Sequence, residues 1–354
     1  MKMNELFAER FHSARVLRGF SLQDLADKLG NRISKQALHK YEKGEVVPDS
    51  EMIGYLCEAL NVRPDFFFRE TKVEVGNLCF RKQDKLPVKE QNRIVEYSKD
   101  VLARYLELEE ILGIETRFTN PLEGFPELAT FDDVEQAAKF VRKEWNLGTD
   151  PIYNTMELLE DNHIKVIPVE SEDSFDGMQT WVNHSIPVIV INTSKLKVKE
   201  RIRFTVLHEL GHLLLPMDGL NEKAKEKYCN QFAAAMLFPK EAADKELGMK
   251  RNKMFIQEFG ELKKQYGISI QALIYRANDL GIISNSYVKQ LIFLMESNNW
   301  KIVEPVEYIG DEGSNRFKQL LFRALAEEQI SMSKAAVLYN QTLNEFRKQI
   351  MVVE

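Results

Sequence analysis

The sequence predicts an α+β fold, mostly α, with one small sheet in the middle of the chain. Three observations predict it. Apolar residues recur at three- and four-residue spacing over most of the first 112 residues and again beyond residue 240, the period of an amphipathic helix. Short Val- and Ile-rich runs, the signature of strands, cluster between residues 164 and 191. Between these zones, Leu207 to Leu215 sets His208 and His212 four residues apart, on one face of a helix.

Composition bounds the rest. A chain of 354 residues suits two or three domains and buries a substantial core. A formal net charge of −6 gives no global attraction to nucleic acid or to an anionic membrane, so any DNA contact must come from a local surface. Cys57, Cys79 and Cys229 are odd in number and widely spaced, which argues against a disulfide framework and for a reducing cytoplasm. No stretch approaches the roughly 18 apolar residues of a membrane span. The N-terminus leads into a charged amphipathic helix instead of a signal peptide's apolar core. The expectation is a soluble cytoplasmic protein with no membrane partner.

Residues 1–68 read as five short helices with tight turns. Phe7, Phe11, Ala14 and Leu17 mark the first, closed by Gly19. Ser21 caps the second, Asp24 completing a capping-box-like pair, with Leu22, Leu25, Ala26 and Leu29 as its buried stripe. The third runs from near Ser34 to Gly44. Pro48 opens a stretch carrying Ile53, Leu56 and Leu60. The text Ser21-Leu22-Gln23-Asp24-Leu25-Ala26, Ser34-Lys35-Gln36-Ala37-Leu38 and Tyr41-Glu42-Lys43-Gly44 resembles the phage-repressor-like (XRE-type) helix-turn-helix family over residues 10–68. That resemblance implies DNA binding by the third helix, whose N-terminal residues read base edges in the major groove. Here they are Lys35, Gln36 and Lys40, with His39 beside them. Gln pairs bidentately with adenine, and Lys reaches guanine or phosphate. Lys and Arg only balance Asp and Glu over residues 1–70, so nonspecific affinity should be modest.

Residues 69–130 form a connector. Thr71 to Arg81 alternates weakly and reads as an extended segment or one strand. Pro87 precedes a long helix carrying Ile94, Tyr97, Val101, Leu102, Tyr105, Leu108 and Leu112, read as a packing helix, with homodimerisation its second reading. Thr116 to Thr130 reads as a loop.

Residues 131–240 carry the chemistry. Asp132 to Trp145 is helical, and Pro151 is well placed to begin the next helix, ending near Asn162. Ile164 to Val169 reads as a strand, and Met178–Val182 with Pro187–Ile191 as a hairpin around Asn183-His184-Ser185. A helix from about Lys199 runs into His208-Glu209-Leu210-Gly211-His212 and ends at Pro216. Two imidazoles at that spacing can hold one zinc ion, with Glu209 beside the open position as general base for a hydrolytic water. A catalytic zinc usually takes three protein ligands. Asp218, Glu226 and Cys229 are the candidates for the third, Cys229 reading better as a buried thiol. For an oxyanion donor, His184 and Tyr228 are the candidates.

The run from Trp181 to Pro239, above all Pro187 to Asn192, Arg203 to His212 and Glu226 to Pro239, resembles the ImmA/IrrE family of zinc metallopeptidases. The resemblance implies a zincin-like domain in which His208, His212 and Glu226 bind Zn2+ and Glu209 is the catalytic base. Relatives often carry His at the Pro216 position and Glu-Ala-Asn where this chain has Tyr228-Cys229-Asn230. The family is known for cutting helix-turn-helix repressors, which implies a repressor-type protein substrate. Such a substrate, if extended, could add beside the Met178–Val182 or Pro187–Ile191 strand.

Residues 241–354 read as mostly helical. Leu262 to Ile283 and Ile330 to Phe346 both have helix-turn-helix rhythm and are read as packing or substrate-recognition elements. The whole reads as a zinc endopeptidase fused to a DNA-binding domain. The alternative is a DNA-binding or antitoxin-like regulator with a silent peptidase fold.

Overall fold

The computed structural model describes residues 3–70, 73, 86–115, 117–171, 175–194 and 198–351. The segment expected to be extended over Thr71 to Arg81 lies, apart from Val73, outside the described residues. The chain divides into two compact units, one taking in the described residues up to 73, 86–114 and 324–351, the other 115–323.

In the first unit, α1 (Met3–Leu17), α2 (Leu22–Lys28), α3 (Lys35–Glu42) and α4 (Ser50–Leu60) are followed by a 3-10 turn, Pro64–Phe68. That turn is the fifth helical element expected from the sequence. Phe7, Phe11, Leu25, Leu38, Leu56 and Phe67 meet in one core, each fully buried. Burying a Phe or Leu side chain contributes about 1.5–3 kcal/mol, so this core offsets much of the cost of ordering so short a chain segment. Ser21 and Asp24 form a reciprocal capping box at the start of α2, and Ser34 caps α3. Gly30 and Asn31, with φ of 65° and 56°, turn the chain between them. Helix α5 (Val88–Ile111) packs on α1, with Asp100 receiving Arg10, Arg69 and Arg104. It is therefore a packed element of this unit.

The second unit begins with α6 (Phe131–Glu144) and α7 (Thr155–Asp161). Helix α7 starts at Thr155, four residues beyond the Pro151 expected to begin it, because the Asn154 side chain accepts from the Glu157 amide and fixes the N-cap there. The sheet has strand order β1–β3–β2: β1 (Lys165–Val169) runs parallel to β3 (Ile186–Asn192), and β2 (Gly177–Val182) antiparallel to it. Asn183 and His184, both at positive φ, are the central residues of the turn that the Ser185 amide closes on the Val182 carbonyl, in a three-residue hairpin loop. Every residue of β3 is buried, as a central strand requires, while β2 alternates buried and half-buried residues. Helices α8 (Lys199–Leu214), α9 (Glu222–Leu237) and α10 (Lys240–Leu247) follow, then α11 (Ile256–Tyr266), α12 (Ile270–Asp279) and α13 (Asn285–Ser297).

Helix α14 (Arg316–Ala326) runs across the sequence boundary between the units, and α15 (Met332–Leu338) and α16 (Leu343–Met351) belong to the first. Arg104 donates to the Leu338 carbonyl, Arg63 donates to the Gln341 carbonyl, and Lys334 pairs with Glu107.

Candidate metal centre and recognition helix

The candidate metal centre rests on two helices in close contact. Helix α8 carries His208, Glu209 and His212, and Pro216 stands just beyond its end, where proline stops a helix from continuing. Helix α9 starts at Glu222, where the Asn221 side chain accepts from the Ala224 amide. The two approach closely because position 211 is glycine. A Cβ there would lie 3.2 Å from Cys229 Cα and Sγ, tighter than ordinary van der Waals contact. Cys229 is fully buried at this crossing, the packing role its small thiol suits.

This approach brings Glu226 to the histidines. His208, His212 and Glu226 place their ligand atoms within 4.8 Å of one another, the group of metal-ligating type found among the described residues. The two Nε2 atoms are 3.2 Å apart, and Glu226 lies 3.5 Å from His208 Nε2 and 3.3 Å from His212 Nε2. His208 Nδ1 sits 2.8 Å from Asn230 Oδ1. An amide oxygen only accepts, so Nδ1 carries the proton and the Nε2 lone pair faces His212 and Glu226. Two imidazoles and a carboxylate, one ring already oriented from its far side, are the donor set of a catalytic zinc site. The residues fit the ion.

Glu209 lies one position after His208, about 100° further round the helix, and is half-buried. Its side chain passes Gly177 at the start of β2, where a Cβ would come within 3.1 Å of Glu209 Cγ and 2.9 Å of Thr205 Cγ2. Asn192 holds the approach to that strand, donating to the Ser171 and Phe175 carbonyls at 3.0 and 3.1 Å. On the face of α8 away from the histidines, Arg203 and Glu312 form a fully buried ion pair. Arg203 also donates to the carbonyls of Ile152, Tyr266 and Gly267. Burial raises the Glu312 carboxyl above its ordinary range, against the opposing pull of Arg203.

Other sequence candidates fall elsewhere. Asp218 is exposed beyond the end of α8 and is not in the ligand group. Tyr228 turns away from the centre: its hydroxyl donates to the Ala129 carbonyl at 3.0 Å and its ring meets Phe131. His184 sits on the hairpin turn, separated from Gly177 by the length of β2, about 17 Å at 3.4 Å per residue. The Pro187–Ile191 run cannot accept an added strand, because β3 is paired on both sides; among the described residues β2 is paired on one side only. Sequence reasoning missed Asn230 as the orienting partner of His208, although its position four residues after Glu226 sets it on the same helical face.

On α3, Lys35, Gln36, His39 and Lys40 are all exposed on one face, while Leu38 is fully buried and anchors the helix from behind. This is the presentation a major-groove helix requires. No helix among the described residues is long and apolar enough to cross a membrane.

Comparison with known proteins finds a family match over each of the two regions. The helix-turn-helix family matches residues 12–67, and a peptidase family described as the IrrE N-terminal-like domain matches residues 160–278. An SPbeta prophage-derived uncharacterized HTH-type transcriptional regulator, YonR, of Bacillus subtilis (strain 168) is 36% identical over 69 residues, 20% of this chain and 62% of that protein. The chain thus spans less than two thirds of that relative's length. By these matches the chain joins an N-terminal XRE-type helix-turn-helix domain to an IrrE-like peptidase-family domain.

Proposed function

We propose that the protein is a zinc-dependent endopeptidase fused to a DNA-binding domain, a transcriptional regulator that acts by cleaving a helix-turn-helix repressor. The observation that carries the proposal is the convergence of His208, His212 and Glu226 with Glu209 on the adjoining turn. In this reading the three side chains hold Zn2+, which when bound supplies Lewis-acid activation of a water and of the scissile carbonyl.

Asn230 keeps the His208 ring in the tautomer that presents Nε2 inward. Glu209 takes the proton from the attacking water and delivers it to the leaving amine nitrogen as the peptide bond breaks. The substrate lies extended along the outer edge of β2, paired through its main chain, so that the scissile bond passes Gly177 and Glu209. Gly177 suits that path, since a side chain there would press on Glu209. Lys35, Gln36, His39 and Lys40 contact DNA.

Proteomics of cells expressing wild type or Glu209→Gln tests the activity. The expected result is a repressor-type protein cleaved only by wild type, with zinc retained by the variant. Identical proteomes from the two strains would leave a DNA-binding regulator with a silent peptidase fold.

A further inference from the structure

The α12–α13 pair repeats the caps and buried positions of the α2–α3 pair. Both first helices start at a serine N-cap, Ser21 and Ser269, and bury the residues four and five positions on: Leu25 and Ala26, Leu273 and Ile274. Both turns use a glycine at positive φ, Gly30 (65°) and Gly281 (73°), and end on a buried isoleucine, Ile33 and Ile283. Both second helices are capped by the next serine, Ser34 and Ser284, and are anchored four positions later by Leu38 and Val288. Helix α12 is three residues longer than α2, and the step from the glycine to the serine cap is one residue shorter.

The correspondence extends to the exposed face. Where α3 shows Lys35, Gln36, His39 and Lys40, α13 shows Asn285, Ser286, Lys289 and Gln290, all exposed. Side chains of these types can donate to phosphates and base edges. Phe293 follows one turn later on the same face, 71% exposed, where an aromatic ring can meet a thymine methyl. A basic loop lies against the turn between these helices. The Arg251 amide donates to the Ile282 carbonyl at 2.7 Å, and the Tyr287 hydroxyl bonds both the carbonyl and the amide of Met254. This fixes Lys250 and Lys253 beside the start of α13, both exposed. The nearby acids are neutralised locally, Glu258 by Arg251 and Glu296 by Lys301.

The third such pair, α15–α16, shares this frame, with Ser331 as N-cap, Ala335 and Ala336 buried, Asn340 at positive φ and Phe346 buried four positions after Thr342. Its turn, by contrast, is engaged by Arg63 through the Gln341 carbonyl, and it sets Glu345 at the start of its second helix. We propose that α13, with the loop carrying Lys250 and Lys253, is a second duplex-DNA contact, lying beyond the residues matched as helix-turn-helix. Charge complementarity selects the partner: Lys250, Lys253 and Lys289 make no ion pair among the described residues, and a phosphate backbone supplies their counter-charge.

The test measures binding of the full-length chain to a generic DNA duplex across a salt series. A background carrying Lys35→Ala, Gln36→Ala and Lys40→Ala silences α3, so failure of the α3 reading and failure of this one are read separately. On that background residual duplex binding is expected. Adding Lys250→Ala, Lys253→Ala and Lys289→Ala should lower the slope of log affinity against log salt by about 2.7, at roughly 0.9 for each phosphate no longer neutralised. All three side chains are exposed, so an unchanged melting temperature confirms folding, and Lys289→Arg alone should retain wild-type affinity. Loss of all binding in the α3 background, or a slope unmoved by the three lysine substitutions, overturns the proposal and leaves the Phe293 face to a protein partner.

Discussion

At the scale of single residues, the candidate metal centre shows what a sequence can and cannot display. His208 and His212 are legible because their relationship is local: a helix sets the fourth residue on the same face whatever surrounds it. Glu226 is legible only as one candidate among several, because its approach depends on how two helices cross. That crossing is set at Gly211 and Cys229, and nothing local in either residue announces it. Gly211→Ala should therefore cost about 1–3 kcal/mol by overpacking, seen as a lower melting temperature, and should weaken zinc binding by moving Glu226. Asn230→Ala tests the orienting hydrogen bond. It should reduce zinc affinity by about 10- to 100-fold in a chelator competition while leaving the fold's melting temperature in zinc excess near wild type.

Elements are most legible where their signals are local. Ser21 and Asp24 announce the start of α2, and the Asn183-His184 turn announces the hairpin. The start of α7 is less legible because Pro151 is a permissive N1 residue, whereas Asn154 makes the hydrogen bond that fixes the N-cap. The capping box also carries a pH prediction. Hydrogen bonds from the Ser21 amide and hydroxyl hold the Asp24 carboxyl below its ordinary range. Its contribution to stability is thus complete above the ordinary carboxylate range and is lost as pH falls through the lowered value. Thermal melts should show the gap between wild type and Asp24→Asn narrowing as the solution is acidified. Arg203 and Glu312, separated by 109 residues, are invisible as a pair in the sequence. Glu312→Gln leaves Arg203 charged and buried, and urea unfolding should report a loss of about 3–5 kcal/mol.

For the molecule as a whole, the order of the parts is legible: a helix-turn-helix, a long helix, a sheet with the His-Glu helix, and a helical remainder. Grouping of remote segments is not, because α15 and α16 join the first unit through Arg63 and Arg104, contacts spanning 278 and 234 residues. The first unit holds its own core, and the candidate ligands all lie in the second. Removing zinc should therefore lower the melting transition of the second unit alone, by the binding energy the ion contributes to the folded state. Metal analysis of the purified chain addresses the central claim most directly. Wild type should carry about one zinc per chain, the Glu209→Gln variant the same, and Glu226→Ala little or none. A wild-type chain without zinc, or a Glu226→Ala chain that keeps its full zinc content, would contradict the account.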